Sequence, residues 1–398
     1  MMRQAVPVRT TFPRPSLTTA AGLFWVSLFA VATVASGIET VFTRVPEGGL
    51  QPQVLVSSNG VTHLVYFAGT PGAGDLFYTR RMSDSREFNT PIRVNSQPGS
   101  AIAIGTIRGA QIALGKNGRV HVAWNGSGDA SGHRGAPMFY TRLNDERTAF
   151  EPQRDVMTFT GNLDGGGSVA ADQERNVYVA WHGTTPETEA KETERAVYLA
   201  VSKDEGRTFA RERQVNPDPT GACGCCGLKA FADSQGALYL LYRAATGGTE
   251  RDEVLLGSLD QAKTFRSLSS QPWKSSTCPM SSAWLSSAGK NRCLAAWETK
   301  GHVWFTTIDP RESQAPEPVG PADSATGQKH PVAISGTNGD TFLVWAEGTG
   351  WQKGGAVAWQ LFDVEGKPKA SAGRRDGIPV WSFATALARR DGSFEIIY

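Results

Sequence analysis

Four of the five cysteines in this chain of 398 residues lie in two short stretches. The first stretch reads TGACGCCG over residues 220–227, the second reads STCPM over residues 276–280, and their cysteines are Cys223, Cys225, Cys226 and Cys278. Thiols in this number favour one of two chemistries, disulfide bonding or the binding of a soft metal ion. The fifth, Cys293, takes a regular strand position and is interpreted as part of the core.

The two chemistries make different demands on the cysteines. As disulfides, four cysteines allow three pairings, and the strain of joining the neighbours Cys225 and Cys226 favours bonds between the two stretches. As metal ligands, the thiolates would suit copper(I) or zinc, with Met280 and His330 as further donors. The spacing fits no standard zinc motif, and the sequence leaves both chemistries open. No other cofactor is expected.

A second candidate site is a charged run that follows the first cysteine stretch and contains Arg243, Glu250, Arg251 and Asp252. Guanidinium groups can bind a substrate carboxylate through paired hydrogen bonds, and carboxylates can act as general acid or base. The same residues would equally form an ion-pair network at a loop rim. Further polar residues follow strand ends elsewhere in the chain, namely His182, Glu298 and Glu347.

The elements that position these residues are repeated along the chain. A strand that ends in an aromatic residue recurs after a polar turn, as in NGRVHVAW over 117–124 and GDTFLVW over 339–345. These aromatic residues are separated by 48 to 61 positions and are Tyr66, Trp124, Trp181, Tyr242, Trp297 and Trp345. A self-similar repeat of this length, with several strands per unit, is typical of a β-propeller.

Alternation and turn residues divide each unit into four strands. In the second unit they are expected at 110–114, 120–124, 138–142 and near 153–157. The C-terminal segment Pro379–Tyr398 repeats the first two strands of a unit, and Thr40–Val45 resembles a lone outer strand that would close the ring with them. We therefore predict an all-β propeller of six or seven four-stranded blades over residues 38–398.

Propeller topology places the candidate residues on one face of the ring. The connections between successive blades share a face with the loops between second and third strands, and we call this the mouth face. Both cysteine stretches precede the first strand of adjacent blades, and the charged run follows a second strand. We expect all of them to meet at one rim of the central channel.

Residues 202–209 read SKDEGRTF and lie between the third and fourth strands of a unit, and weaker copies begin at Ser83 and Ser258. The pattern resembles the Asp-box of sialidases and other bacterial neuraminidase-repeat proteins. Its aspartate accepts hydrogen bonds from the turn, its glycine takes a positive φ, and its phenylalanine turns towards the core. Structural roles are therefore expected for Asp84, Asp204, Gly206, Phe209 and Asp260.

The resemblance to the sialidase superfamily covers nearly the whole chain after residue 38. With its CGCC loop, the chain is most similar to exported bacterial sialidase-like proteins. Sialidases have six blades, hold the sugar carboxylate with three arginines, and use a tyrosine–glutamate nucleophile pair and an aspartic acid. Arg44, in the sequence FTRVP, partly matches the motif of the first arginine, and Arg243 could stand for the second. The remaining catalytic positions have no assigned counterpart.

Three functions are compatible with these patterns. The first is an exported propeller that binds a glycan or an extracytoplasmic protein at its mouth. The second is an exo-glycosidase of the sialidase type that acts on terminal acidic sugars, with Arg44 and Arg243 on the sugar carboxylate and an acid among Glu250, Asp252, Glu298 and Glu347. The third is a propeller that binds a soft metal ion through its cysteines.

Residues 1–37 have the features of an export segment. Arg3, Arg9 and Arg14 precede an uncharged run from Pro15 to Ile38 that small residues close. The segment could be cleaved as a signal or kept as a membrane anchor, and the sequence leaves both alternatives open. In either case we expect the propeller to lie outside the cytoplasm, as a periplasmic or secreted domain. Contact with a membrane is expected only through this segment. With a formal net charge of +2 and no basic cluster interleaved with aromatics, no nucleic-acid partner is expected.

Overall fold

The computed structural model describes residues 7–13, 38–128, 135–217, 220–289, 291–312, 315–322 and 327–398. The chain separates into two compact units, Met1–Ser36 and Gly37–Tyr398. In the first unit, residues 7–13 have no helix or strand, and the predicted export run lies outside the described residues except for Ile38. Within the described ranges, no helix is long and apolar enough to cross a membrane.

The strands of the second unit form seven sheets among the described residues. The chain begins with β1 (Thr40–Thr43). The first blade is β2 (Leu50–Val56), β3 (Thr62–Thr70), β4 (Ala73–Arg81) and β5 (Ile92–Arg93). The second is β6 (Gln111–Leu114), β7 (Val120–Asn125), β8 (Met138–Arg142) and β9 (Arg154–Asp155). The third is β10 (Ser168–Ala171), β11 (Val177–Gly183), β12 (Ala196–Ser202) and β13 (Arg213–Gln214).

The remaining blades follow in the same order. The fourth is β14 (Lys229–Ala232), β15 (Leu238–Arg243), β16 (Glu253–Ser258) and β17 (Arg266–Gln271). The fifth is β18 (Trp284–Ser287), β19 (Cys293–Thr299) and β20 (His302–Ile308). The sixth is β21 (Gln328–Ser335), β22 (Thr341–Glu347), β23 (Gly355–Phe362) and β24 (Pro368–Ile378). The closing blade is β25 (Thr385–Ala388) and β26 (Phe394–Ile397) with β1. Among the described residues, single 3₁₀ turns span Pro46–Gly48 and Lys116–Gly118.

The seven sheets are arranged around one axis. The first strand of each blade contacts the first strand of the next, from β2 through β6, β10, β14, β18, β21 and β25 back to β2. Such a closed ring of first strands defines a propeller and leaves a channel between them. The structure therefore confirms the predicted propeller and sets the number of blades at seven.

The repeated aromatic residues pack between neighbouring blades. All six that end the second strands are buried, with exposed fractions of 0–5% for Tyr66, Trp124, Trp181, Tyr242, Trp297 and Trp345. The large hydrophobic clusters join side chains of adjacent blades, as where Tyr140 of β8 and Trp181 of β11 belong to one cluster. The repeat in the sequence is therefore the repeat of these interfaces, because each blade must bury its apolar faces against two neighbours.

Both ends of the second unit contribute strands to the closing blade. β25 and β26 pair antiparallel, and β1 pairs with β26 in parallel, from Thr40 opposite Phe394 to Thr43 opposite Ile397. Our expectation of a lone outer strand needs correction in its position, since β1 lies directly beside the second strand and takes the place of a third. In the fifth blade three strands lie within the described residues, and a bridge between Phe305 and Val319 takes the position of the fourth.

The octet at residues 202–209 forms a hydrogen-bonded turn between β12 and β13. The Asp204 carboxylate accepts hydrogen bonds from the Ser202 hydroxyl (2.7 Å) and from the Thr208 N–H (2.9 Å) and hydroxyl (2.6 Å). Burial opposes its ionisation, but these donors, Thr208 foremost, lower the pKa of Asp204 to about 2. Gly206 has φ +79°, and Phe209 packs edge-on against Tyr140 with centroids 4.9 Å apart.

The two weaker copies of the octet differ from each other. Asp260 accepts hydrogen bonds from the Ser258 hydroxyl (2.8 Å) and from the N–H (3.0 Å) and hydroxyl (2.7 Å) of Thr264, which lower its pKa. Around Asp84 the turn is closed instead by the Ser85 N–H, which donates to the Met82 carbonyl at 3.0 Å. Within the described residues, no hydrogen bond to the Asp84 carboxylate is found, so the turn role predicted for that side chain has no contact to support it.

A buried ion pair holds the closing blade to the first blade. The Arg81 guanidinium donates two hydrogen bonds, of 2.9 and 2.6 Å, to the two carboxylate oxygens of Glu395. The hydroxyl of Thr43 donates a third to the same carboxylate at 2.6 Å. Because the Glu395 side chain is only 1% exposed, removing it would leave the arginine buried without its anion.

We predict that Glu395→Ala lowers the free energy of unfolding by about 3 kcal/mol, the usual cost of breaking a buried ion pair on one side. The measurement is urea unfolding followed by tryptophan fluorescence. Glu365→Ala, at an exposed turn, is the matched control and should change stability by less than about 0.5 kcal/mol. Equal effects of the two substitutions would show that the Arg81–Glu395 contact does not hold the ring closed.

Candidate functional site

The two cysteine stretches are neighbours at the mouth face, as predicted. The first lies between β13 and β14, and the second lies between β17 and β18 in the adjacent blade. Their backbones are joined by a hydrogen bond of 2.9 Å from the Gly227 N–H to the Ser281 carbonyl. A Cβ at Gly227 would lie 2.8 Å from the Cα of Ser282, so only glycine permits this close approach.

Four sulfur atoms meet where these stretches touch. Cys225 and Cys278 form a disulfide between the stretches, with Cα atoms 6.6 Å apart. Cys223 is a free, buried thiol whose Sγ lies 3.3 Å from that of Cys225 and 3.0 Å from that of Cys226. The four residues differ in exposure: Cys223 and Cys226 are buried, Cys225 is half-buried and Cys278 is exposed. Cys293 lies apart from them in the core, where its side chain is fully buried.

A carboxylate completes this group. The ligand atoms of Glu192, Cys223, Cys225 and Cys278 all lie within 4.8 Å of one another. This Cys/Glu cluster could hold a metal ion, because its donors are close enough to contact one central atom.

The charged run lies beneath the cysteines, and its arginines are already paired. Arg243 is 2% exposed and forms an ion pair of 2.9 Å with Glu253, which lies directly opposite it on β16. Arg243 also donates to the carbonyl oxygens of Arg251 (2.8 Å) and Glu298 and stacks on the ring of Trp273. Burial disfavours its charge, but Glu253 raises the pKa of Arg243 overall. Burial also raises the pKa of Glu253 to about 7, against the opposing pull of Arg243.

The other members of the run are also engaged within the protein. Arg251 is 5% exposed and its Nη2 lies 2.6 Å from the Glu192 carboxylate. Its Nε and Nη1 are buried without an acceptor among the described residues. The Asp252 carboxylate accepts the Trp273 N–H at 3.0 Å. Glu250 is exposed and its backbone bridges to Lys274. The run is thus an ion-pair network under the cysteines rather than an open pair of arginines.

Arg44 lies in a different part of the ring. It follows β1 in the closing blade, is exposed, and donates a hydrogen bond of 2.7 Å to the Gly377 carbonyl while stacking on the Tyr398 ring. Arg243 belongs to the fourth blade, and the structure does not bring the two arginines into one cavity. Their assignment to a substrate carboxylate stays a prediction without a contact that supports it.

The three other polar residues at strand ends, Glu298, Glu347 and His182, each have a hydrogen-bond partner within the protein. Glu298 is 3% exposed, and burial raises its pKa, while its Oε1 accepts the Gly301 N–H at 2.6 Å. Glu347 accepts the indole N–H of Trp345 at 2.7 Å. Burial lowers the pKa of His182 to about 4, and its Nδ1 lies 2.9 Å from the Gly165 carbonyl. No carboxylate pair facing one open cavity is found among the described residues in this group.

The mouth face has a depression that our reading of the sequence missed. Its volume is about 40 Å³, and Met280 and His330 line it together with Thr106, Lys329, Lys353, Trp351 and Trp381. The two indole rings meet edge to face with centroids 4.6 Å apart, and Trp351 is 59% exposed. Of the residues that line the depression, two are lysines and none is an acid.

The wall of this depression has an unusual backbone. Four residues that line it have positive φ although they are not glycine, namely Thr106 (62°), Met280 (50°), His330 (53°) and Trp381 (63°). Each such conformation costs on the order of 1 kcal/mol and is typical of functional sites. Burial lowers the pKa of His330 to about 3, so its ring is neutral. The Ser282 N–H donates to its Nδ1 at 3.2 Å, which leaves Nε2–H to donate to Thr106.

A buried lysine lies at the mouth end of the channel. Lys229 begins β14 and reaches across the channel to the side-chain oxygens of Gln53 (3.1 Å) and Gln111 (2.7 Å) on the first and second blades. Its Nζ lies 4.2 Å from the centre of the Trp284 ring. With no carboxylate to balance its charge, burial alone lowers the pKa of Lys229 to about 7.

No family model matches the chain, and no curated protein matches it. Among solved structures it is similar to the Hadza microbial sialidase Hz136, at 13% identity over 83% of this chain and 74% of that one, with a TM-score of 0.48. It is also similar to a leech intramolecular trans-sialidase, at 8% identity over 89% and 86%, with a TM-score of 0.49. A third is an α-L-arabinanase from Penicillium chrysogenum, at 12% identity over 81% and 95%, with a TM-score of 0.48. Likenesses at this level carry no argument about activity.

We predict that Lys229 makes stability depend on pH. The unfolded chain binds its proton up to the ordinary pKa of 10.5, whereas the folded chain releases it near 7. Stability therefore rises with pH between these values, by up to about 1.4 kcal/mol per unit. In Lys229→Gln this contribution is absent, so the wild type should gain stability relative to the variant steadily from pH 7 to pH 10.

Urea unfolding at pH 7, 8, 9 and 10 measures this dependence. Lys203→Gln, which removes an exposed lysine, is the control and should follow the wild type at every pH. Parallel curves for Lys229→Gln and the wild type would mean that the Lys229 amine is not desolvated in the channel.

Proposed function

We propose that this protein is an exported propeller that binds an anionic glycan at the depression on its mouth face. The observation that carries the proposal is the Trp351–Trp381 pair beside two lysines, on a wall of strained backbone. Exposed indoles offer flat apolar surface to the C–H face of a sugar ring. Lys329 and Lys353 would attract an acidic group on the same ligand.

Binding without hydrolysis agrees with the state of the arginines. A sialidase-type reaction needs guanidinium groups free to hold the sugar carboxylate, and Arg243 and Arg251 are committed to Glu253 and Glu192. The exo-glycosidase remains the alternative function, and it requires these ion pairs to open when substrate enters.

We predict that 3′-sialyllactose or a glucuronate-terminated oligosaccharide binds in calorimetric titration, and that lactose binds more weakly. Trp351→Ala should lower the affinity about tenfold, because one aromatic platform contributes on the order of 1.4 kcal/mol. Lys353→Met should weaken binding of the acidic ligands only. Leu259→Ala is the matched control, since Leu259 is a large apolar residue that is 58% exposed elsewhere on the surface.

Two results would count against this proposal. If no acidic glycan binds, or if Trp351→Ala binds as the wild type does, the depression is not the site. Turnover of fluorogenic sialosides or uronides by the wild-type protein would favour the exo-glycosidase instead.

We propose a soft metal ion at the cysteine cluster as a second candidate function. It is favoured by the convergence of three sulfur atoms and the Glu192 carboxylate within 4.8 Å. Reduction of the Cys225–Cys278 disulfide by an external dithiol, which is itself oxidised to a disulfide, supplies the two electrons and two protons that free both thiols as ligands. Arg243 and Arg251 lie beside the cluster and would balance part of the charge of the thiolates.

Between the two soft ions, the cluster favours copper(I) over zinc. Zinc sites in proteins are almost always four-coordinate. Here the Glu192 carboxylate is already paired with Arg251, and the sulfurs of Cys223, Cys225 and Cys278 lie within 4.8 Å of one another. Cys226 is not part of this set, although its Sγ lies 3.0 Å from that of Cys223. Soft thiolate ligands select copper(I), which accepts three of them. Cys278 is an exposed residue, so this side of the cluster faces solvent.

We predict that the reduced protein takes up one copper(I) ion per chain in competition with a chromogenic copper(I) chelator. Cys223→Ser should weaken the binding at least a hundredfold by removing one of three ligands. Cys293→Ala, which removes a buried cysteine outside the cluster, should bind as the wild type does. Two disulfides in the exported protein, with no copper(I) uptake after reduction, would exclude the metal site.

A further inference from the structure

The central channel contains a cavity of about 180 Å³ on the side of Lys229 away from the mouth depression. It runs along the first strands of the first five blades, and Val54, Ile112 and Leu285 are typical of its apolar wall. Of the described residues that line it, Lys229 is the only ionisable one. An apolar cavity with a single charge at one end is a binding site by shape and by chemistry.

Lys229 and Trp284 supply hydrogen-bond donors to this cavity, and none of the described residues that line it is acidic. An ammonium group has three N–H donors and no acceptor. Two of those of Lys229 meet the neutral side-chain amides of Gln53 and Gln111, and no carboxylate contacts it among the described residues. Trp284 lines the same cavity, is 4% exposed, and its buried Nε1–H has no acceptor in the described part of the chain.

A buried charge and a buried unpaired donor are both costly, and one ligand group would satisfy both. We propose that the channel cavity binds a small monocarboxylate, with its carboxylate at Lys229 and Trp284 and its apolar body along the channel wall. The proposal is independent of the glycan and metal functions, because it uses neither the mouth depression nor the cysteines.

The size and polarity of the cavity define the ligand. An apolar cavity of about 150 Å³ holds benzene, so this larger one has room for a phenyl ring or a short alkyl chain that carries one carboxylate. Benzoate and hexanoate have this size, and each combines one carboxylate with an apolar body. An inorganic anion would meet the same donors but would leave the apolar wall without a partner, so it should bind more weakly.

The entry path is expected on the face opposite the mouth. The cavity extends to Val56, Leu114 and Ala232, the last residues of three first strands. Lys229 and its glutamine partners lie at the other end, towards the mouth face. A carboxylate ligand would therefore enter from the face that carries the turn at residues 202–209.

The test is calorimetric titration of the wild-type protein with benzoate and hexanoate, followed by titration with benzamide and sodium chloride. We expect one site per chain and an affinity for benzoate at least tenfold higher than for benzamide, which has the same shape without the charge. Lys229→Met should abolish carboxylate binding, and Trp284→Phe should weaken it severalfold by removing the indole N–H. Lys203→Met, at an exposed position, should leave the affinity unchanged.

Each other outcome would overturn the proposal. Equal binding of benzoate and benzamide would show a purely apolar cavity, and equal binding of chloride would show an adventitious ion only. If Lys229→Met does not fold, Trp284→Phe and the comparison of benzoate with benzamide still test the proposal, because both keep the lysine. Absence of benzoate and hexanoate binding to the wild type would end the assignment.

Discussion

Closure of the ring between the first and last blades is the constraint on which the rest of the structure depends. The first and last strands of the second unit share one blade, where β1 pairs in parallel with β26. In the same blade, Glu395 accepts hydrogen bonds from both Arg81 and Thr43. Only a closed ring aligns the seven first strands around a channel and gathers the connections between blades at one face. The cysteine stretches, the tryptophan pair and the channel lysine all take their positions from that alignment.

Structural and functional residues of this protein differ in whether a buried charge has a partner of opposite sign. Arg243 is paired with Glu253 and donates to backbone carbonyls, so it has partners within the protein and supports the loops above it. Lys229 has only neutral amides and an aromatic ring for partners. The two residues are similarly buried, yet only Lys229 retains an uncompensated charge that a ligand could neutralise. The mouth depression combines the same sign of charge with exposed aromatic surface.

The sequence predicts those features that repeat. The aromatic residue at the end of each second strand marks an interface between blades, and its period is visible because every blade needs the same interface. The meeting of the cysteine stretches followed from the same period, since equivalent positions in adjacent blades must be neighbours. The turn around Asp204 was predictable because its hydrogen bonds are local, between residues at most four positions apart.

The features that the sequence did not predict depend on contacts between distant positions. Trp351 and Trp381 come from different loops, and nothing near either residue indicates that they touch. The pairing of Arg243 with Glu253 follows from the register of one hairpin, so aligning β15 with β16 would have found it. Lys229 differs from an ordinary strand residue only in the direction of its side chain, which crosses the channel to two other blades.

The measurement that tests this account most directly is a crystal structure of the protein soaked with an acidic oligosaccharide. The account predicts a sugar ring on Trp351 and Trp381, with Arg243 still bonded to Glu253 and Arg251 to Glu192. A sugar carboxylate held by Arg243 or Arg44, with those ion pairs opened, would contradict it.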